Sequence, residues 1–319
     1  MGIAVTSGVL ATLDAKAAAA APIQHAKWES HTPGTTTPRG LEDETLPSQF
    51  IACVTREESA KRLRNAFASP NAVGCRVEVL VSQNVKAAQA SNVILLWWVF
   101  SSDLSPCGLP SASVSCKPQQ AHDILNEPGM KEALDGKLLI SILAGVTIAQ
   151  MSALVYPATK VIRAMPNTPT KIREGMTVVS TLPPSSTFEI DRSIILNIFS
   201  SIGRCRFLEE KHFDACTALS GSGPAFACIF LEAMADGGVM MGLPRAEAIE
   251  LAAQTLQGAA RMTLSGIHPA QLKDSVTTPG GCTIAGLLAL EDGKVRSTIA
   301  RAIQIATERA SELGQPTKH

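Results

Sequence analysis

Residues 138–146 read LLISILAGV, a short apolar run that closes on the small residues Ala144 and Gly145. A run of this length, bounded by glycine, is typical of a buried strand that ends in a tight turn. Similar runs, separated by helical patterns, lie at residues 50–54, 77–80, 93–96 and 160–165. Short apolar runs that alternate with helical stretches predict a parallel sheet wrapped by helices.

The pattern changes after about residue 185, where the strand-like runs stop and long helical patterns begin. We therefore predict an α/β domain over residues 1–180 and an all-helical domain over residues 181–319. Residues 22–48 are rich in Pro, Thr, Gly and charge, and residues 98–115 in Ser, Pro and Gly. Such compositions predict loops or insertions.

The overall composition excludes several classes of partner. The 319 residues contain 28 Lys plus Arg and 28 Asp plus Glu, so the formal net charge is zero. A balanced chain has no basic surface for nucleic acid or for an anionic membrane, and neither is expected as a partner. The eight cysteines form no C-x-x-C pair, which argues against a zinc cluster or another metal site and favours a reducing compartment. No 18-residue apolar run is present, and we expect a cytoplasmic protein.

A parallel sheet of this kind commonly binds a dinucleotide through a strand, a G-x-G-x-x-G loop and a helix. A helix is predicted over residues 2–16, but Met1-Gly2 precedes it directly and no strand comes before it. The alternative interpretation, that this domain binds no cofactor, is therefore retained. After the run at 50–54 the chain has Thr55-Arg56, and a hydroxyl beside a guanidinium suits a 2′-phosphate, which favours NADP. An exposed arginine at a helix start is the alternative.

Two motifs in the helical half combine glycine with helix ends. Residues 219–225 read LSGSGPA, and residues 272–283 read LKDSVTTPGGCT. The glycines of the second motif expose backbone N–H groups at a helix N-terminus, which suits a carboxylate. A glycine-rich loop between two core helices is the alternative interpretation.

Four segments resemble pyrroline-5-carboxylate reductases: Val161–Pro169, Ala218–Pro224, Ala235–Pro244 and, most specifically, Lys273–Thr283. The resemblance implies a Rossmann-type NADP(H)-binding domain followed by an all-α dimerisation and substrate domain, assembled as a homodimer or a decamer. It also implies the last step of proline biosynthesis, the NADPH-dependent reduction of a cyclic imine to L-proline.

The resemblance carries roles to individual positions of this sequence. The residues implied to bind the cofactor are Met1, Gly2, Thr55, Arg56, Trp97, Cys116, Lys117, Pro118, Ser141, Ala144, Gly145 and Asn167. The residues implied to hold the substrate, largely through backbone N–H groups, are Thr277, Thr278, Gly280, Gly281, Cys282 and Thr283. Thr283 is also the implied catalytic residue, because it would hydrogen-bond the ring nitrogen. The partner chain is expected to supply these last residues.

This sequence departs from the family pattern in two places. The opening strand and the first glycines are missing, and Met1-Gly2 align with the last two positions of the glycine loop. Residues 98–115 separate Trp97 from Cys116, where the family passes almost directly from strand to C-K-P. Val99 stands at the junction, and because every valine codon begins with GT, the usual intron donor, we interpret the insertion as a retained intron. We expect an unpaired central position in the sheet and weak NADPH binding.

Three other functions are alternatives to this one. A β-hydroxyacid dehydrogenase needs a lysine in the long helix after a G-x-G turn, and the residues from Ala225 to Glu232 include none. The second alternative is a reductase of a related cyclic imine. The third is a non-catalytic dimerisation protein whose cofactor domain is disabled.

Overall fold

The computed structural model describes residues 2–18, 50–67, 77–97, 111–115, 118–143, 145–182 and 187–313. It divides into two compact units, one comprising the chain up to Cys216 together with residues from Ala310, and the other Thr217–Arg309. The predicted order of an α/β domain followed by helices is confirmed. The units divide after Cys216, later than the boundary predicted between residues 180 and 181. The predicted loop at 22–48 lies outside the described residues.

The secondary structure of the first unit is a sheet with helices around it. The strands are β1 (Phe50–Val54), β2 (Val77–Val81), β3 (Val93–Trp97), β4 (Ser111–Ser115), β5 (Leu138–Ser141), β6 (Lys160–Met165), β7 (Gly175–Ser180) and β8 (Gly203–Leu208). The helices are α1 (Gly2–Ala18), α2 (Glu57–Ala66), α3 (Asn84–Gln89), α4 (Pro118–Leu125), α5 (Met130–Leu134), α6 (Ile148–Ser152), α7 (Phe188–Ser200) and α8 (Phe213–Cys216).

The eight strands form one sheet in the order β2-β1-β4-β3-β5-β6-β7-β8. The first six are parallel, β7 runs antiparallel to β6, and β8 runs parallel to β7. The prediction that strands stop near residue 185 was therefore wrong. In β8, Arg204 and Arg206 alternate with Cys205 and Phe207, so this strand has no continuous apolar run.

The centre of the sheet differs from the prediction. Residues 98–115 were predicted to be a loop or insertion, but their last five residues form β4, which lies between β1 and β3. Ser113 is paired with Ala52 on one side and with Leu95 on the other. The expected unpaired central position is thus filled, and the backbone groups of β1 and β3 have partners on both sides. The next described residue after β4 is Pro118, which begins α4. β4 is therefore not the strand of a strand–glycine-loop–helix motif that continues into α1.

Helices cover both faces of the sheet. Side chains alternate between the two faces along each strand, so one strand contributes residues to the cores on both sides. Ile51 and Leu139 face one side and pack in a core with Ala87 and Met130 of the helices there. Leu138 and Ile140 face the opposite side. The residues of α1 and α7 that pack in the core on this second face are Val5, Val9, Leu10, Leu13, Ile195, Leu196, Ile198 and Phe199.

A buried ion pair fastens α7 to the amino end of β6. Lys160 Nζ lies 2.7 and 2.6 Å from the two carboxylate oxygens of Asp191, and it donates to Thr187 Oγ1 at 2.9 Å. The side chain of Asp191 is only 5% exposed. Because the charge is paired and hydrogen-bonded, its burial is tolerated, and α7 is held against the sheet.

The second unit consists of helices. They are α9 (Gly223–Met240), α10 (Arg245–Leu264), α11 (Pro269–Ser275), α12 (Cys282–Asp292) and α13 (Val295–Leu313), whose last turn belongs to the first unit. A π-helical turn, Thr217–Gly221, precedes α9. Many large apolar side chains of these helices are exposed, among them Ile229, Met240 and Leu251.

One stretch, Glu210–Met240, is long and apolar enough to cross a membrane, and only 11% of its most apolar part is buried within the chain. The sequence did not predict this stretch as a membrane segment, because Glu232 and Asp236 interrupt its apolar residues. Length and composition alone do not separate a membrane segment from a helix that another protein chain covers.

Candidate functional site

The candidate cofactor residues of the first unit gather at one edge of the sheet. Thr55 follows β1, Ser141 ends β5, and Asn167 follows β6. Because these strands are parallel, their carboxyl ends meet at the same edge, where open α/β sheets bind their ligands. Gly8 of α1 lies against Ser201 and Ile202, and this brings part of α1 near the same edge.

Thr55 and Arg56 form the connection from β1 to α2, and both are exposed. Arg56 has extended backbone angles and occupies the N-cap position of α2. Its guanidinium has no hydrogen bond or ion pair within the described part of the chain. The connection is anchored from β2, because the Ser82 N–H donates to the Val54 carbonyl at 2.9 Å. Arg56 is therefore a cation on a fixed backbone, available to an anionic ligand.

The turn after β5 is the second element at this edge. Ser141 is fully buried, and its hydroxyl oxygen accepts a hydrogen bond from the Leu143 N–H at 3.3 Å. Gly145 has φ +76°, a left-handed conformation that favours glycine. Thr147 and Gln150 form a capping box that begins α6. A flat ring could approach the backbone of this turn, because no side chain projects from Gly145.

Asn167 lies at the same edge but already has a structural role. Its side-chain oxygen accepts from the Met176 N–H at 2.8 Å, and its carbonyl accepts from the Thr170 hydroxyl at 2.8 Å. The side chain is nearly buried. Asn167 thus closes the connection between β6 and β7, and any contact with a ligand would come in addition to this role.

The sequence did not predict a series of hydrogen-bonded polar side chains near the carboxyl end of β1. The buried thiol of Cys53 donates to Asn84 Oδ1 at 3.2 Å, and Asn84 Nδ2 donates to Glu127 Oε1 at 2.6 Å. Asn84 begins α3, three residues after β2 ends at Val81. An asparagine just after a strand was the available signal, but Glu127 lies 43 residues further along the chain and only the fold brings it there.

The candidate substrate residues lie together in the second unit. Thr277 to Gly281 belong to the loop of residues 276–281 between α11 and α12, and Cys282 and Thr283 are the first two residues of α12. The Thr277 hydroxyl donates to the Lys273 carbonyl at 2.7 Å, which fixes the start of the loop to the end of α11.

The start of α12 presents free backbone donors. Gly280 has φ +68°, and Gly281 is the N-cap of α12, with no side-chain cap in the described structure. A methyl group at Gly281 would lie 2.5 Å from the Thr278 hydroxyl, so the close turn favours glycine. The first N–H groups of a helix have no intrahelical acceptor and carry partial positive charge. An anionic group such as a carboxylate suits this position.

The remaining candidates have less structural detail. Gly2 is the first residue of α1, Trp97 is the last residue of β3, and Pro118 is the first residue of α4. Met1, Cys116, Lys117 and Ala144 lie outside the described residues. In the described ranges no three His, Cys, Asp or Glu side chains are grouped to hold a metal ion.

Buried thiols are not candidates for chemistry. Burial raises the pKa of the Cys205 thiol to about 12, and burial also raises the pKa of Cys53. Because the thiolate is the reactive form, we expect neither thiol to react with iodoacetamide at mildly alkaline pH while the chain is folded. Mass spectrometry after labelling pulses in increasing urea checks this, and modification of Cys205 below the unfolding transition would contradict it.

Comparisons with known proteins agree with these features. Residues 210–313 match the family described as pyrroline-5-carboxylate reductase dimerisation. A pyrroline-5-carboxylate reductase of Schizosaccharomyces pombe is 48% identical over 272 residues, which cover 85% of this chain and 87% of that protein. One from Lophium arboricola is 45% identical over 328 residues, covering 99% of this chain and 91% of that protein.

A solved structure gives the same result. The Plasmodium falciparum pyrroline carboxylate reductase with NADP bound has a TM-score of 0.62 and 28% identity, covering 83% of this chain and 98% of that one. The matched dimerisation domain includes the apolar stretch up to Met240 and its exposed apolar side chains, so this chain forms a homo-oligomer. The chain therefore belongs to the pyrroline-5-carboxylate reductase family of NAD(P)-dependent oxidoreductases, which confirms the family, fold class and enzyme class that its motifs predict.

Proposed function

We propose that the chain reduces pyrroline-5-carboxylate to L-proline with NADPH, and that the start of α12 holds the substrate carboxylate. The observation that carries this is the uncapped N-terminus of α12, which a left-handed glycine precedes. Backbone N–H groups at such a position bind a carboxylate without a charged side chain. We assign cofactor binding to the sheet-containing unit and substrate binding to the helical unit, with the partner chain supplying Thr277–Thr283.

The carboxyl edge of the sheet fits a dinucleotide at two of its parts. At one end Arg56 offers a free guanidinium for the 2′-phosphate, and this is our reason to prefer NADPH to NADH. At the other, the backbone turn at Gly145 leaves space for a nicotinamide. The weak NADPH binding expected from the sequence stays a prediction, and a fluorescence titration with NADPH measures it.

The reaction demands little acid–base chemistry of the protein. When bound, NADPH supplies a hydride to the imine carbon. A protonated imine is already electrophilic, so adding the hydride yields the neutral amine without a further proton at that step. The residues of this chain would bind the carboxylate at α12, accept the ring N–H at the Thr283 hydroxyl oxygen, and keep the ring oriented.

The proposal is tested by NADPH oxidation at saturating cofactor with pyrroline-5-carboxylate as substrate, and by the reverse reaction with proline and NADP. Parallel assays with other cyclic imines separate a related imine reductase. A folded, oligomeric chain that turns over none of these substrates would instead be a non-catalytic assembly protein, and the proposal would fail.

A Thr283→Val variant should retain the fold, because valine is nearly isosteric and Thr283 is partly exposed in α12. We expect kcat to fall about tenfold, since one hydrogen bond to a charged ring nitrogen is lost. A Thr283→Ser variant keeps the hydroxyl and should recover most of the rate. Equal kcat values for the valine variant and the unchanged chain would remove Thr283 from the mechanism.

For the assembly we propose a homodimer or a decamer of such dimers, located in the cytoplasm. The exposed apolar side chains of α9 and α10 support extensive contacts between copies. The five described cysteines are free thiols, as a reducing compartment would maintain them. Light scattering of the full chain distinguishes the two sizes.

A further inference from the structure

A buried arginine that takes no part in the proposed chemistry lies beside the turn after β5. Arg163 of β6 is 7% exposed, and in the sheet it is paired with Ser141. Its Nη1 donates to Glu210 Oε1 at 3.3 Å, and its guanidinium carbon lies 4.9 Å from the centre of the Phe213 ring. A buried guanidinium needs a compensating charge, and Glu210 provides it.

The same carboxylate oxygen also binds the backbone. Glu210 Oε1 accepts a hydrogen bond from the Ile148 N–H at 2.9 Å. Ile148 is the first residue of α6 and comes directly after the turn at residues 145–147. Its N–H has no acceptor inside α6, because it belongs to the first helical turn. Glu210 therefore joins a charge on β6 to the far end of the turn.

Leu143 and Val146 pack in the core at this turn, but its other described hydrogen bonds are local. The N–H groups of Thr147 and Gln150 are satisfied within the capping box. That box is local to α6, which has only five residues, and a helix this short has little stability of its own. The link from Ile148 to Glu210 instead reaches a strand of the sheet through Arg163.

We propose that Arg163 and Glu210 are positioning residues for hydride transfer, because they fix the turn at residues 145–147 against which the nicotinamide lies in the proposed function. The identity of the ring rests on that proposed function, whereas the clamp itself does not. Neither side chain touches a reacting atom. Arg163 orients the Glu210 carboxylate, and Glu210 holds the backbone of Ile148.

Hydrogen–deuterium exchange of the full chain without cofactor tests the clamp. We expect Glu210→Ala to raise exchange in peptides covering residues 145–151 about tenfold more than in β5 and α7, where only the general loss of stability from the unpaired Arg163 guanidinium acts. Glu210→Gln also removes that charge, but it should restore the local protection at residues 145–151, since its amide oxygen can accept from Ile148. The control is Glu209→Ala, at an exposed neighbour that pairs with Lys211 at 2.6 Å. Unchanged exchange at 145–151 in Glu210→Ala, or an equal rise throughout the chain, overturns the clamp.

Steady-state kinetics tests the positioning role. We expect Glu210→Ala to lower kcat for the imine about tenfold with little change in KM, and to raise the primary isotope effect with deuterated NADPH. Glu210→Gln should lie near the unchanged chain. An unaltered kcat in Glu210→Ala overturns the positioning role. Failure of the unchanged chain to reduce any imine would overturn the proposed function and the positioning role, while the exchange result would still decide the clamp.

Discussion

An Arg56→Glu variant is expected to lose about a hundredfold in kcat/KM with NADPH, while kcat/KM with NADH changes by less than about threefold. Arg56 is exposed at the N-cap of α2, and its guanidinium is free of other partners in the described structure. A glutamate there would repel the 2′-phosphate, and its carboxylate would suit the free ribose hydroxyls of NADH. The predicted loss corresponds to about 2.7 kcal/mol of transition-state stabilisation.

Arg62→Glu is the matched control for this variant. Arg62 is also exposed in α2 and carries the same charge, so the same exchange there alters the net charge equally. Its kcat/KM with NADPH should change by only a few fold, as expected for a screened, distant charge. If both variants lower kcat/KM with NADPH by the same factor, the net charge of the surface, and not a contact with Arg56, determines the effect. If Arg56→Glu leaves the NADPH to NADH ratio unaltered, the 2′-phosphate lies elsewhere.

Five of the eight strands were predictable because their apolar character is continuous. The strands β1, β2, β3, β5 and β6 lie in the parallel part of the sheet, and most of their positions are apolar, although β6 also contains Lys160 and Arg163. The run at 160–165 was predicted with the bounds that β6 has. Since these strands were found, the edge that carries Thr55 and Ser141 was found with them.

β4 could not be predicted from its own residues. It reads Ser-Ala-Ser-Val-Ser, with one large apolar residue at Val114. What makes it a strand is the pair of neighbours β1 and β3, whose backbone groups require partners. That requirement comes from the whole sheet and has no local signature. β8 was missed for a related reason, since its arginines alternate with the residues that pack on α7.

The site was predictable where a motif contains its own turn and was missed where partners are distant in sequence. The glycines before α12 mark a helix start, and Gly145 marks a turn. By contrast, Glu210 lies 62 residues after Ile148, and no pattern around either residue indicates the other. The sequence also did not predict that Asn167 holds the connection between β6 and β7, because the Met176 N–H that it binds belongs to the next strand.

A Ser113→Pro variant is expected to lower the free energy of unfolding by about 3 kcal/mol or more, and for a marginal domain that loss approaches complete unfolding. Ser113 is the middle residue of β4 and is paired with strands on both sides. Proline has no N–H to donate to the ladder, and it is excluded from central strands. Urea denaturation followed by circular dichroism measures the effect.

Ser113→Ala is the control, because it keeps the backbone N–H and removes only a hydroxyl, so its stability should stay within about 1 kcal/mol of the unchanged chain. A proline variant as stable as the alanine variant would mean that residues 111–115 do not lie between β1 and β3. The sheet would then have the open central position that the sequence first indicated. Loss of stability in the proline variant alone would instead mean that the insertion itself completes the sheet, since no other described segment pairs with both β1 and β3.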